Sequence, residues 1–122
     1  MHLRAADAYG MAQKSAVTPR RAEGMAFADA AHKLDRARRN VDDYVAYADA
    51  LRRNQILWTV MQADVSTEEN RLPAGLKKKI LALSLYVDKQ TINALVQPGA
   101  AVLDPLIAIN KAMAEAQFTK PE

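Results

Sequence analysis

Residues able to do chemistry are few in this chain and are not spaced for catalysis. There are two histidines: His2 at the terminus and His32, which falls on the polar side of a helical segment. No cysteine occurs, so disulfides and thiolate metal ligands are excluded. No HExxH pattern replaces them, and neither a metal nor an organic cofactor is expected. Adjacent carboxylates at Asp42-Asp43 and Glu68-Glu69 are the residue type that general acid–base work needs. Both pairs lie near expected helix starts, where the positive end of the helix dipole accounts for them. The four glycines are scattered and form no loop that cradles a phosphate. The expectation is a protein that is not an enzyme.

Basic clusters are the second kind of candidate: Arg20-Arg21, Arg36/Arg38/Arg39, Arg52-Arg53 and Lys77-Lys78-Lys79. On a helix successive residues fan out around the axis, so such runs make a solvated face more readily than a phosphate grip. The aromatic residues Tyr9, Tyr44, Tyr47, Trp58 and Tyr86 are not interleaved with the cations in the way that stacking on single-stranded RNA requires. Direct RNA contact stays open as a lesser alternative. The balance of 17 basic and 14 acidic side chains, net +3, is mild enough for solubility alone to explain it.

The elements that must position these residues are helices. Half of the 122 residues are apolar, only 6% are aromatic, and good helix formers are abundant. Residues 1–122 are expected to form a single domain, an all-α bundle of about five helices joined by short loops. No apolar run approaches the ~18 residues of a membrane span, and the N-terminus lacks the apolar core of a signal peptide; a soluble cytoplasmic protein is expected. A weakly amphipathic segment runs from Leu3 to Ala16. Thr18-Pro19 then places a capping hydroxyl before proline at the first helical position, predicting a helix from Pro19 to about Arg39 with Phe27, Ala30, Ala31 and Leu34 inside. The central segment, Asn40 to Val65, starts on Asn40 as cap. Tyr44, Tyr47, Ala48, Leu51, Trp58, Met61 and Val65 share one face of it. Ser66-Thr67-Glu68-Glu69 reads as a one-turn capping box. The next helix spans Pro73 to about Val96, and the last opens on Asp104-Pro105 and ends near Gln117, with Leu106, Ile109, Asn110 and Met113 on one face.

Two features exceed a plain bundle. Asn54 flanks the Leu51/Trp58 stripe, where a buried amide must find partners or cost roughly 1–3 kcal/mol; a bond to a loop or helix end is expected. Trp58 is assigned to the core, and Pro19, Asn54, Trp58 and Asn110 are the residues given structural roles. The second feature is an apolar surplus. Ile56, Leu57 and Val60 point away from the inner face of the central segment, which is apolar nearly all round from Ile56 to Met61. On the following helix, Leu76, Ile80, Leu83 and Val87 form one stripe and Leu81, Leu85, Ile92 and Val96 another, roughly opposite. Either these two helices are sandwiched between the others, or an exposed groove takes an amphipathic helix from a partner.

The order of several short blocks makes a family resemblance. Ala8-Tyr9, Thr18-Pro19-Arg20 with Glu23, and Phe27 and Leu34 come first. The run Ala50-Leu51-Arg52-Arg53-Asn54-Gln55-Ile56-Leu57-Trp58-Thr59 looks like a signature block, followed by Asp64-Val65 and Leu72-Pro73-Ala74-Gly75-Leu76. Ile80 to Ser84 with Tyr86-Val87, and Leu106 to Met113, complete the set. Through these the sequence resembles the FlaF family of alphaproteobacterial flagellar biosynthesis proteins over almost its whole length. Arg21, where a second acidic residue is expected, and the stretch from Gln97 to Pro105 depart from the pattern. The resemblance implies an adaptor that binds newly made flagellin as a secretion chaperone and acts with a companion regulator, FlbT, on flagellin synthesis. A post-transcriptional action on flagellin messenger, direct or through FlbT, is the alternative. Combined with the apolar surplus, it places a flagellin groove along Leu57, Val60 and Met61 with Leu81, Leu85 and Ile92, on a monomer or weak homo-oligomer.

Overall fold

The structure is a computed structural model that describes residues 19–119. The segment expected from Leu3 to Ala16, and the Thr18 cap, lie outside those residues. Four α-helices follow one another: α1 (Pro19–Arg38), α2 (Tyr44–Val65), α3 (Ala74–Val96) and α4 (Asp104–Thr119), with a 3₁₀ turn at Ala101–Leu103 leading into α4. The described residues contain no strand, so the all-α expectation holds, with four helices in view.

Helix ends differ from the sequence reading where a better cap is available. Asp43, not Asn40, caps α2, its carboxylate accepting the Ala46 N–H at 3.2 Å. A carboxylate there satisfies an orphan amide and also meets the helix dipole. Asn40 instead sits in the preceding turn, where its carbonyl accepts from the Asp43 N–H at 3.1 Å. Ser66 to Glu69 do not open a new helical turn. Ser66 closes α2, its N–H donating to Ala63 O and its hydroxyl to Gln62 O at 2.8 Å, and the Thr67 hydroxyl donates to Asp64 O at 2.9 Å. These groups satisfy the carbonyls that every helix end leaves open. Asn70 then links the loop, its amide donating to Asp64 and its side-chain oxygen accepting from the Leu72 N–H.

Successive helices run antiparallel. Phe27, early in α1, meets Trp58, late in α2, edge to face at 5.3 Å. Tyr47, early in α2, reaches Ala94 near the end of α3. Arg38, ending α1, reaches Asp104, opening α4, at 3.5 Å. α1 and α4 pair most extensively. Ala30, Ala31, Ala37 and Ala114 are buried, and small side chains let helix axes approach closely. The core is filled by Phe27 and Leu34 from α1, Tyr47, Leu51, Trp58, Met61 and Val65 from α2, Ile80 and Val87 from α3, Leu103 from the 3₁₀ turn and Leu106 at the start of α4. Each such large side chain stabilises by ~1.5–3 kcal/mol when fully buried.

Two tyrosines fix how α2 lies on α3. The Tyr47 hydroxyl donates to Ala94 O at 2.7 Å and accepts from the Gly99 N–H at 3.2 Å. The Tyr44 hydroxyl donates to Leu95 O at 3.2 Å. Ala94 and Leu95 carry two of the carbonyls left open at the end of α3, and the Gln97 N–H takes a third, that of Asn93. Burial pushes the Tyr47 phenol upward from its ordinary value, with the Gly99 N–H opposing. Tyr44, expected inside, is exposed along its ring and works through its hydroxyl.

Candidate partner-binding surface

The polar residues assigned structural roles form one chain of hydrogen bonds through the interior. Indole N–H is a donor only, so Trp58 Nε1 must find an acceptor, and it donates to Asn110 Oδ1 at 2.8 Å. That contact fixes the orientation of the Asn110 amide, whose Nδ2 donates to Asn54 Oδ1 at 2.6 Å. All three residues are buried. Asn54 therefore pairs with a side chain on α4 rather than with the loop or helix end the sequence suggested. Asn54 Nδ2 and Ser84 Oγ are buried without a partner among the described residues, while the Thr91 hydroxyl donates to Val87 O. Pro19 stands first in α1, as its fixed φ suits.

The six residues placed in a groove separate into three environments. Met61 is 5% exposed and belongs to the core, in register with Leu51, Trp58 and Val65, so it is not available to a partner. Leu57 and Leu81 are half-buried against the core edge. Val60, Leu85 and Ile92 are 62%, 64% and 57% exposed. At about 100° per residue, Leu57 shares a flank of α2 with Ala46 and Ala50, which face α1 across a cleft. Val60 and Ile56 each stand two positions from Trp58, hence about 200° around, on the outer back of α2. The central helix is thus not buried on all sides, although it is apolar nearly all round. Leu85 stands likewise two positions before buried Val87 on the back of α3. The structure does not bring the six into one groove.

What remains continuous is a stripe on α3 alone. Leu81, Leu85, Ile92 and Val96 follow at steps of four, seven and four residues, and Val96 is 73% exposed. From Leu81 to Val96 the stripe spans about 22 Å at 1.5 Å rise per residue. Exposed Lys78 and Lys89 border it. Val96 was on this stripe by spacing alone, although outside the six. Val45, Ile56 and Val60 make a second exposed row on α2, and Val45 could have been found as the residue two positions before Tyr47.

Among the described residues no three His, Asp or Glu side chains are grouped to hold a metal ion, and no helix is long and apolar enough to cross a membrane. The two exposed rows present apolar area, with charge beside the α3 row at Lys78 and Lys89. No curated protein and no solved structure matches the chain. The family model described as flagellar protein FlaF matches residues 5–116, which takes in all of α1, α2, α3 and most of α4. On that match the chain belongs to the FlaF family of flagellar proteins.

Proposed function

We propose that this flagellar protein is a non-enzymatic adaptor that binds newly made flagellin in the cytoplasm through the outer stripe of α3. The observation carrying the reading is the row of exposed Leu85, Ile92 and Val96, continued at one end by half-buried Leu81. Apolar residues at four- and seven-residue steps are what one amphipathic helix offers another. Unassembled flagellin carries amphipathic terminal helices that aggregate until packed, and this row would cover one of them. Lys78 and Lys89 at its edge would set register and speed encounter more than they would add affinity. A companion role with FlbT rests on the family alone.

The test is co-purification of flagellin with the Leu85→Lys/Ile92→Lys double variant. Both residues are exposed, so stability is expected to stay within about 0.5 kcal/mol of the parent. Flagellin capture is expected to fall at least about tenfold, since two charges would be buried in an apolar contact. Undiminished capture would remove α3 as the site. Binding of flagellin leader RNA instead, weakening steeply with added salt, would move the protein to the post-transcriptional reading.

A further inference from the structure

A second surface lies on the other side of α2. Between α1 and α2 runs an open cleft of about 630 Å³, within the ~300–1,000 Å³ range of ligand pockets. Its floor is Ala37, Ala46 and Ala50, whose small side chains leave the space unfilled. On the α1 side the charged residues are all basic: Lys33 and Arg36 in the helix and Arg39 in the turn that follows it, at three-residue spacing, with Asn40 beside them. On the α2 wall, Arg53 sits with Asp43 and Asp49. Lys33, Arg39 and Arg53 are held in pairs with Asp29, Asp35 and Asp49. The pairs of Lys33 and Arg53 are exposed on both sides and worth about 0–1 kcal/mol, so an incoming carboxylate exchanges with them at little cost, whereas Asp35 is largely covered and keeps its hold on Arg39. The Arg36 guanidinium has no ion-pair or hydrogen-bond partner among the described residues.

We infer that this cleft docks an acidic helical segment of a protein partner, with carboxylates at three- and four-residue spacing laid along the α1 wall. Such a helix has the same 1.5 Å rise per residue as α1, so its acids keep step with Lys33 and Arg36, and Arg39 closes the end of the row. Guanidinium groups pair with carboxylates through two parallel bonds, which favours Arg36 as the anchor. The acids on the α2 wall argue against nucleic acid: Asp43 and Asp49 would face its phosphates, whereas a peptide can meet them with a cation of its own. The site is separate from the α3 stripe and does not depend on it.

The probe is a fluorescein-labelled, alanine-based peptide of about 18 residues, long enough for helix, with glutamates at three- and four-residue spacing on one face and a single lysine on the next to meet the α2 acids. Its lysine counterpart and a single-stranded RNA of equal length serve as controls. Anisotropy with the full chain is expected to show binding of the glutamate peptide only. Arg36→Glu is expected to weaken it about tenfold or more, and Arg53→Glu to weaken it less. Both positions are exposed, and the circular dichroism melt of each variant checks its fold. The Leu85→Lys/Ile92→Lys variant is expected to bind the peptide as the parent does. Equal affinity of the Arg36→Glu chain, loss of binding in the α3 variant, or tighter binding of the RNA than of the peptide would each overturn the assignment.

Discussion

The interior seam joining α2 to α4 and the outer back of α3 invert the usual distribution of polarity. Inside, Trp58, Asn110 and Asn54 carry polar atoms into a region where Phe27, Leu51 and Leu106 are also fully buried. Outside, Leu85, Ile92 and Val96 hold apolar side chains in water. Polarity alone therefore does not sort these residues; the availability of a partner does. The amides inside have found theirs within the chain, since an unpaired buried polar group costs about 1–3 kcal/mol. The leucine, isoleucine and valine outside have none within the described residues, and a contiguous apolar row of this length is typical of an interaction surface.

The largest effect on folding is expected from breaking the inner seam at its centre. Asn110→Ala leaves the Trp58 N–H and the Asn54 oxygen both buried and unpaired, so a loss of about 3 kcal/mol is expected in urea denaturation. Asn54→Ala is expected to cost less, because it also removes the Nδ2 donor that already lacks an acceptor. Equal costs would mean that Asn54 Nδ2 is satisfied in solution, for example by a buried water. These variants and the double lysine exchange on α3 make a crossed pair. The first is expected to lower stability, the second to lower capture of flagellin, and a variant that did both would blur the distinction between inside and outside.

A smaller effect is expected at Tyr47, where the seam between α2 and α3 is tied. Tyr47→Phe keeps the ring and its stacking on Tyr44 but removes the hydroxyl from Ala94 O and the Gly99 N–H. A loss of about 1–2 kcal/mol is expected. Hydrogen exchange at Gly99 should rise in the same variant. Unchanged protection there would mean that the loop after α3 is held by something other than this tyrosine.

How much of this was legible before the fold was known depends on distance along the chain. The inner faces of α1 and α2 follow from three- and four-residue recurrence, because the helix itself converts spacing into direction. Phe27, Leu34, Leu51 and Trp58 are buried where that rule puts them. Periodicity gives an angle about one axis and does not say which neighbour stands there. Periodicity therefore allows Leu57 and Leu81 to face each other across a groove, whereas Leu57 lies toward α1. Met61 fits either a partner face or the Trp58 stripe by apolar character, and its three-residue spacing from Trp58 puts it in the core. Cap choice failed for a different reason: Asn40 and Asp43 both cap helices well, and only the closed turn before α2 selects between them. The Asn54–Asn110 bond joins residues 56 positions apart and has no local signal. The family blocks were legible because order and spacing survive where three-dimensional contacts cannot be inferred.

The smallest effect is expected at a site between the two extremes, the charged cluster that ends α1. Asp35, whose side chain is 16% exposed, accepts from Arg38 at 2.7 Å and also pairs with Arg39, and Arg38 continues to Asp104 on α4. The Arg38 hydrogen bond holds the Asp35 carboxyl below its ordinary value, partly offset by burial and reinforced by the charge of Arg39. In the unfolded chain Asp35 takes up its proton near pH ~3.9, whereas in the folded chain it resists to lower pH. Stability from this cluster is therefore present above about pH 3.9 and is lost as the pH falls through the lowered folded value. Asp35→Asn should lower the urea midpoint slightly at pH 6 and flatten its decline toward pH 3. The comparison needs both proteins at both pH values, since the other carboxylates impose a common slope. Parallel acid limbs would mean that solvent screens the cluster, as it does most exposed pairs, and that the ion pairs of Asp35 add nothing measurable to stability.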